Sequence, residues 1–565
     1  MSLISNPVSS AAVVDIPLTK IQSRFSMTLY ILAATTAATL LYGCILAIYR
    51  LFFHPLAKYP GPRLAALTDW YATFYAWRGD LHKKNRQWHD KYGMTVRFGP
   101  NALCFNSSTA MNDIYGVRAN VRKSDGYASL SASRCTPNTV TTIDKGVHGF
   151  KRRIMAQVYT ERSLKEIEDR ILDNISDFVD VLGSESNAMT GWTAPKDIAQ
   201  TCDWLTFDVI SDLCYGEDFD MLHSSEMRWF PSVVRKIAQR SMMGLIQPKF
   251  FQLKLDTILL ANQYKDIIAA GAWVRQRAEA RAQLGNDIKK KDMFYTLMNA
   301  VDPKTGLQFT QKDLWVESML LLAAAISAVI HYLLHHPTHL ANLTRTLRTL
   351  FPTEASISFS NTTLNTEMET EAEAEKSTDT LLTCPQTALL RSCINESMRL
   401  APSVSSAPPR TVLPGGLLVD GEPIPPGTTV GTSIYTIHRN EEYFDHPDEF
   451  DPLRWMDEDT EIGKEKVRRA GMGFAPFSVG ARSCVGWRLA WVEMNVAIAR
   501  VLWRFDMRLA SVAGDGTGAG CSCGSGNGVG EKGREGGCDY EFMGWVTSSA
   551  EGPVVEFRRR DDLEM

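Results

Sequence analysis

Apolar positions along this chain recur mostly with a helical period, and one run stands apart by carrying no charge at all. Met27–Tyr49 reads MTLYILAATTAATLLYGCILAIY. Its twenty-three residues at ~1.5 Å each predict a helix of about 34 Å, enough for a bilayer core of ~30 Å. Helical patterning dominates residues 155–300, most strongly at Trp204–Tyr215, and returns at Leu389–Leu400. Ser318–Leu334 is a second uncharged run. It is short for a span, and His331, His335, His336 and Pro337 mark it as a core helix ending. Near the C-terminal end, Leu489, Ala490, Trp491, Met494, Ala497, Ile498, Val501 and Leu502 predict a buried helix.

Strand patterning is sparse. Val96 and Phe98, then Ala102 and Cys104, predict a small pair about Gly99-Pro100-Asn101. Thr411–Val412 and Leu417–Val419 read as strands before the turn-rich Gly421–Thr428, which suits a hairpin. Phe542–Thr547 and Val554–Arg558 read as a closing hairpin, with its turn near Ser548–Ser549 touching substrate in the resemblance drawn below. The prediction is a mainly α protein with small β-sheets, preceded by one N-terminal transmembrane helix.

Polar stretches divide the chain. Residues 1–25 read as a flexible tail, 27–49 as an anchor, and 50–63 as a stiff hinge holding Pro55, Pro60 and Pro62. Residues 64–560 form one large domain with flexible inserts at 354–383, which is acidic and rich in Ser and Thr, and at 514–537, which has eleven glycines. Arg50, Lys58 and Arg63 outnumber the net positive charge before the span, which favours a cytosolic domain; the expected membrane is the endoplasmic reticulum. A net charge of −4 argues against a nucleic-acid partner. Eleven cysteines without paired spacing indicate a reducing compartment.

One cysteine has chemistry written around it. Cys484 lies in Phe474–Trp487 (FAPFSVGARSCVGW), just before the last buried helix. Backbone N–H groups at a helix N-terminus favour a thiolate. Gly480 and Gly486 permit close approach of a flat ligand, and Arg482 supplies a cation. The run Phe477-Ser-Val-Gly480-Ala-Arg482-Ser-Cys484-Val-Gly486 resembles the haem-binding loop of the cytochrome P450 family, the haem-thiolate monooxygenases. The wording of the proline hinge is similar to that of membrane-bound fungal members that modify secondary metabolites.

The resemblance implies the cytochrome P450 fold and heme b with the Cys484 thiolate as axial iron ligand. It implies propionate contacts from His148, Arg152 and Arg410, and places Phe477, Gly480, Arg482 and Gly486 at the cofactor. Glu396 and Arg399, with Arg454 from Phe450–Trp455, match a structural Glu-Arg-Arg triad. Met242–Leu253 falls in the family's substrate access region. The implied reaction oxidises a small apolar substrate with O2 and electrons from an NADPH-dependent flavin reductase. Lys464, Lys466, Arg468 and Arg469 are the candidate docking patch for it.

Ser318–Leu334 departs from the family. It matches the central helix on both flanks but is about two turns short. Leu322–Ile326 runs through without the expected acid and threonine, and Ser327 is not assigned their role. No distal catalytic pair is therefore named. A haem-thiolate isomerase or dehydratase, which needs no proton delivery to oxygen, is the rival activity. A haem-binding but impaired product, or a tethered binding protein without haem, are the others.

Overall fold

The computed structural model describes residues 18–131, 137–217, 219–288, 291–318, 326–359, 381–382, 384–456, 460–510 and 539–560. The chain divides into two units, Met1–Lys58 and Tyr59–Met565.

In the first unit one helix runs Leu18–Ile48 and continues as a π-turn over Tyr49–Phe53. Its Met27–Phe53 stretch is long and apolar enough to cross a membrane. The hydroxyls of Thr35, Thr36 and Thr39 donate to carbonyls three or four residues back. That settles the only hydroxyl donors on the inner part of the run apart from its tyrosines. Leu18–Arg24, expected as tail, is helical, because no glycine or proline interrupts the chain between Leu18 and the apolar run.

The second unit is built mainly from helices, with four small sheets among the described residues. The largest orders its strands Thr95–Gly99, Ala102–Phe105, Thr429–Thr432, Arg410–Val412 and Val121–Lys123. The first two form the expected antiparallel pair, and Ala102–Phe105 then runs parallel to Thr429–Thr432. The predicted closing hairpin is rewired. Phe542–Gly544 pairs with Ser548–Ala550, whereas Val554–Arg559 pairs with Phe505–Leu509. The break falls at Gly552-Pro553, where proline has no N–H to continue a ladder. The separate strand Val554–Arg559 then buries Val555 and Phe557 against the strand that follows the last long helix.

That last helix, Trp487–Arg504, is the axis of the core. It is buried on nearly every side from Val492 to Trp503 and contacts helices Glu168–Leu182, Ile326–His335, Pro337–Leu350 and Ala388–Leu400. Such all-round burial explains why its apolar positions exceed a single stripe. The insert at 354–383 is less free at its start than its composition suggests. Ile357 and Phe359 are buried, and Glu354 pairs with Arg504. The rest of that insert, apart from Leu381 and Leu382, and all of 514–537 lie outside the described residues.

Candidate haem-thiolate site

Tight backbone geometry shapes the Cys484 loop. The Cys484 N–H donates to the Phe477 carbonyl at 2.8 Å, and the Ser483 N–H to that of Gly480 at 3.1 Å. Gly480 takes φ +72°, and a Cβ there would stand 2.1 Å from the Tyr115 carbonyl oxygen. Glycine is thus required twice over, by conformation and by space. Gly486 sits at the N-cap of helix Trp487–Arg504, with the Tyr159 ring beside it. Phe477 packs on the core from the other end of the loop. Cys484 itself is exposed. Surrounding protein still takes solvation from the thiol and raises its pKa, while the Gly486 N–H and Arg152 act to lower it. The helix N-terminus expected to favour a thiolate does not outweigh that burial; bound iron would.

Basic side chains converge beside the thiol. Helix Lys145–Val158, capped by Asp144, turns His148 inward and carries Arg152 one turn on. Arg152 donates to the Ser483 carbonyl at 2.5 Å and to the Ser483 hydroxyl at 3.1 Å, so it grips the residue before the cysteine. Arg482 donates to the Thr142 and Ile143 carbonyls at 2.9 and 3.2 Å. Arg410, buried, donates to the Tyr127 hydroxyl at 3.0 Å and lies over the Tyr115 ring.

Lys123 joins them, unanticipated from the sequence. It is buried and directly opposite Arg410 in the sheet register, with its ammonium bonded to the Val140 carbonyl. Among the described residues none of Lys123, Arg152, Arg410 or Arg482 has an ion-pair partner. Their mutual repulsion shows. Burial, then Arg410, Arg482 and Arg152, hold Lys123 well below an ordinary lysine, with Glu317 partly opposing them. Burial and Arg410 bring Arg482 to about 10. Burial and Arg482 bring His148 down to about 3, so its imidazole is neutral. Uncompensated buried cations beside an exposed thiol are the setting that a flat iron ligand with two carboxylates requires. The donor set fits haem.

A second cluster braces the loop from behind. The Glu396 carboxylate receives Arg399 Nε and Nη2 at 2.9 and 2.8 Å, Arg454 Nε at 3.0 Å and Trp455 Nε1 at 2.9 Å. Burial alone would raise the Glu396 pKa, but Arg399 and Arg454 outweigh it and hold it low. Arg399 also donates to the His438 and Pro447 carbonyls. His438 then reaches the loop, accepting from the Ala475 N–H at 2.9 Å. Nothing local in the sequence singles out His438; its role exists only once Arg399 is placed.

Other expected residues fare differently. Lys464 pairs with Glu461, Arg468 with Glu465, and Arg469 with Asp445, so the basic patch is largely neutralised, Lys466 apart. Leu322–Ala325, where the expected acid and threonine are missing, lie outside the described residues. Just after it, the Ser327 hydroxyl is buried and engaged with Tyr540 at 2.7 Å. The same pair, with Ser548 and Ser549, lines a cavity of about 90 Å3. Leu245, Ile246 and Pro248 from the access region line another of about 150 Å3.

A mainly helical body that seats a cysteine loop on a long buried helix, ringed by cations, defines a haem-thiolate protein. The sequence model of the cytochrome P450 family matches residues 60–515, and the chain belongs to that family. It is similar to cytochrome P450 monooxygenase apf7 of Gibberella fujikuroi, 34% identical over 544 residues, covering 92% of this chain and 96% of that one. It is also similar to cytochrome P450 monooxygenase AKT7 of Alternaria alternata, 31% identical over 550 residues, with 95% and 100% covered. The crystal structure of the cytochrome P450DA heme domain shares the fold, with a TM-score of 0.62 at 16% identity, covering 86% of this chain and 94% of that one. The protein is accordingly an oxygen-incorporating oxidoreductase whose cofactor is haem.

Proposed function

We propose that this chain is a membrane-anchored monooxygenase of secondary-metabolite biosynthesis. It would oxidise a small, largely apolar substrate with O2 and electrons from NADPH through a separate flavin reductase. The observation that carries the reading is the exposed Cys484 thiol beside four cations with no ion-pair partner among the described residues, of which Lys123 and Arg410 are buried.

Haem, when bound through a cysteine thiolate, supplies oxygen activation, because the thiolate pushes electron density that favours O–O cleavage. The chain's own residues prepare the place. Cys484 would hold the iron through its sulfur, and the carbonyl of Phe477 and the N–H of Gly486 fix its backbone and sulfur. Arg410, Arg482, Lys123 and neutral His148 would receive the propionates, while Arg152 holds Ser483 and so aims the thiol. Glu396, Arg399, Arg454 and His438 brace the loop that would hold the group. The Met27–Phe53 helix holds the enzyme on the endoplasmic reticulum, with its larger unit facing the cytosol. With three of its four basic side chains paired, the Lys464–Arg469 segment gives a flavin reductase little free charge beyond Lys466.

The test is turnover of a candidate substrate by the full chain in microsomes. Product formation should require the reductase and NADPH together. Turnover without any reductant would replace this reading by an isomerase or dehydratase.

A further inference from the structure

Three residues, each with a buried polar atom that finds no partner among the described residues, line a single cavity. It measures about 150 Å3 and lies between helix Leu81–Tyr92, the five-stranded sheet, the Ser406–Pro409 segment and the Leu245–Pro248 turn. The atoms are Asn85 Oδ1, Ser124 Oγ and Ser406 Oγ. Their residues are 2%, 5% and 4% exposed. Most buried side-chain polar atoms find a partner. Three that do not, around one void, mark a place shaped for hydrogen-bonding matter.

The polarity has a direction. The Asn85 amide oxygen only accepts, as does the Asp69 carboxylate that also lines the cavity, while the two serine hydroxyls can do either. An occupant must therefore donate. An anionic group would meet Asp69. A cationic group would lose its hydration against walls that are otherwise apolar, which a neutral donor does not. A neutral donor remains. The remaining wall, including Leu81, Phe98 and Val430, is apolar. A void of roughly 150 Å3 takes about one benzene ring and is well short of the ~300 Å3 of a whole-ligand pocket, so it receives one end of a molecule.

We infer that this cavity is a recognition subsite for a neutral hydrogen-bond-donating group, a hydroxyl or amide N–H, at one end of an otherwise apolar substrate. It rests on the monooxygenase reading above, and it fixes which end of the substrate is turned away from the haem.

The test uses the detergent-solubilised, haem-loaded full chain and calorimetric titration with two probes, octanamide and methyl octanoate. The amide donates and the ester cannot. Octanamide should bind saturably. Asn85→Leu and Ser406→Ala should each weaken it roughly three- to tenfold while leaving the ester within about twofold. The ligand-free melting temperature of Ser406→Ala should not fall, since its hydroxyl has no bond to lose. Absence of saturable octanamide binding, or equal losses for both probes, overturns the inference. So does a crystal structure with octanamide bound elsewhere and ordered water only in this cavity. Loss of the monooxygenase reading registers separately, as a missing thiolate-haem carbon monoxide band in the unaltered protein.

Discussion

The Ala475 amide donates to Nε2 of His438 at 2.9 Å, and Nδ1 of the same ring lies 3.1 Å from the Arg399 carbonyl. One imidazole therefore joins the buried Glu396–Arg399–Arg454 cluster to the segment that carries Cys484. Its tautomer follows from the partners: Nε2 accepts, so Nδ1 holds the proton. His438→Phe fills the space but leaves the Ala475 N–H buried without an acceptor. It should destabilise the protein by about 1–3 kcal/mol and lower haem retention while Glu396 stays paired. Melting curves and haem-to-protein ratios check this.

Glu396 gives a sharper loss. Removing one partner from a buried, multiply bonded ion cluster costs about 3–5 kcal/mol. Arg454→Ala leaves Glu396 with Arg399 and Trp455, and it should express at reduced yield. Glu396→Ala leaves Arg399 buried and uncompensated, and it should not fold. Soluble yield and circular dichroism decide between these outcomes.

The structure makes stability depend on pH through buried neutral histidines. His82, stacked on Phe542, and His438 are both held at about 3 by burial, against 6.5 when free. A folded-state pKa below the unfolded value means the unfolded chain binds the extra proton. Stability is complete above pH 6.5 and is lost as pH falls from there toward 3. Each histidine contributes about 1.4 kcal/mol per pH unit within that window. His82→Phe should flatten the fall in melting temperature below pH 6.5, and His82→Phe/His438→Phe should flatten it further.

Lys123 faces Arg410 across the sheet with no ion-pair partner among the described residues. Lys123→Met should therefore raise the melting temperature of the haem-free protein and, at the same time, speed haem loss from the loaded one. Opposite signs in the two states separate cofactor binding from a purely structural role. Equal signs would mean that Lys123 only packs.

Legibility followed sequence distance. The Cys484 loop could be read because ligand, glycines and following helix are contiguous, and Glu396/Arg399 because one helix turn holds both. Lys123 was hidden because its meaning comes from strand pairing with Arg410, far along the chain. His438 was hidden because its partners, Arg399 and Ala475, lie on different elements. Alternation shows that Val554–Arg558 is a strand but not which strand accepts it, so the hairpin it suggests differs from the pairing found. Composition marks the start of the acidic insert as loop, yet Ile357 and Phe359 are apolar enough to dock on the core.

The central claim is that Cys484 ligates haem iron in this chain. The reduced carbon monoxide difference spectrum of the full-length protein, compared with Cys484→Ser, tests it most directly. The account predicts a thiolate-haem band for the unaltered protein and none for Cys484→Ser at equal soluble yield. The same band in Cys484→Ser, or its absence from a folded, haem-supplied unaltered protein, would contradict the account.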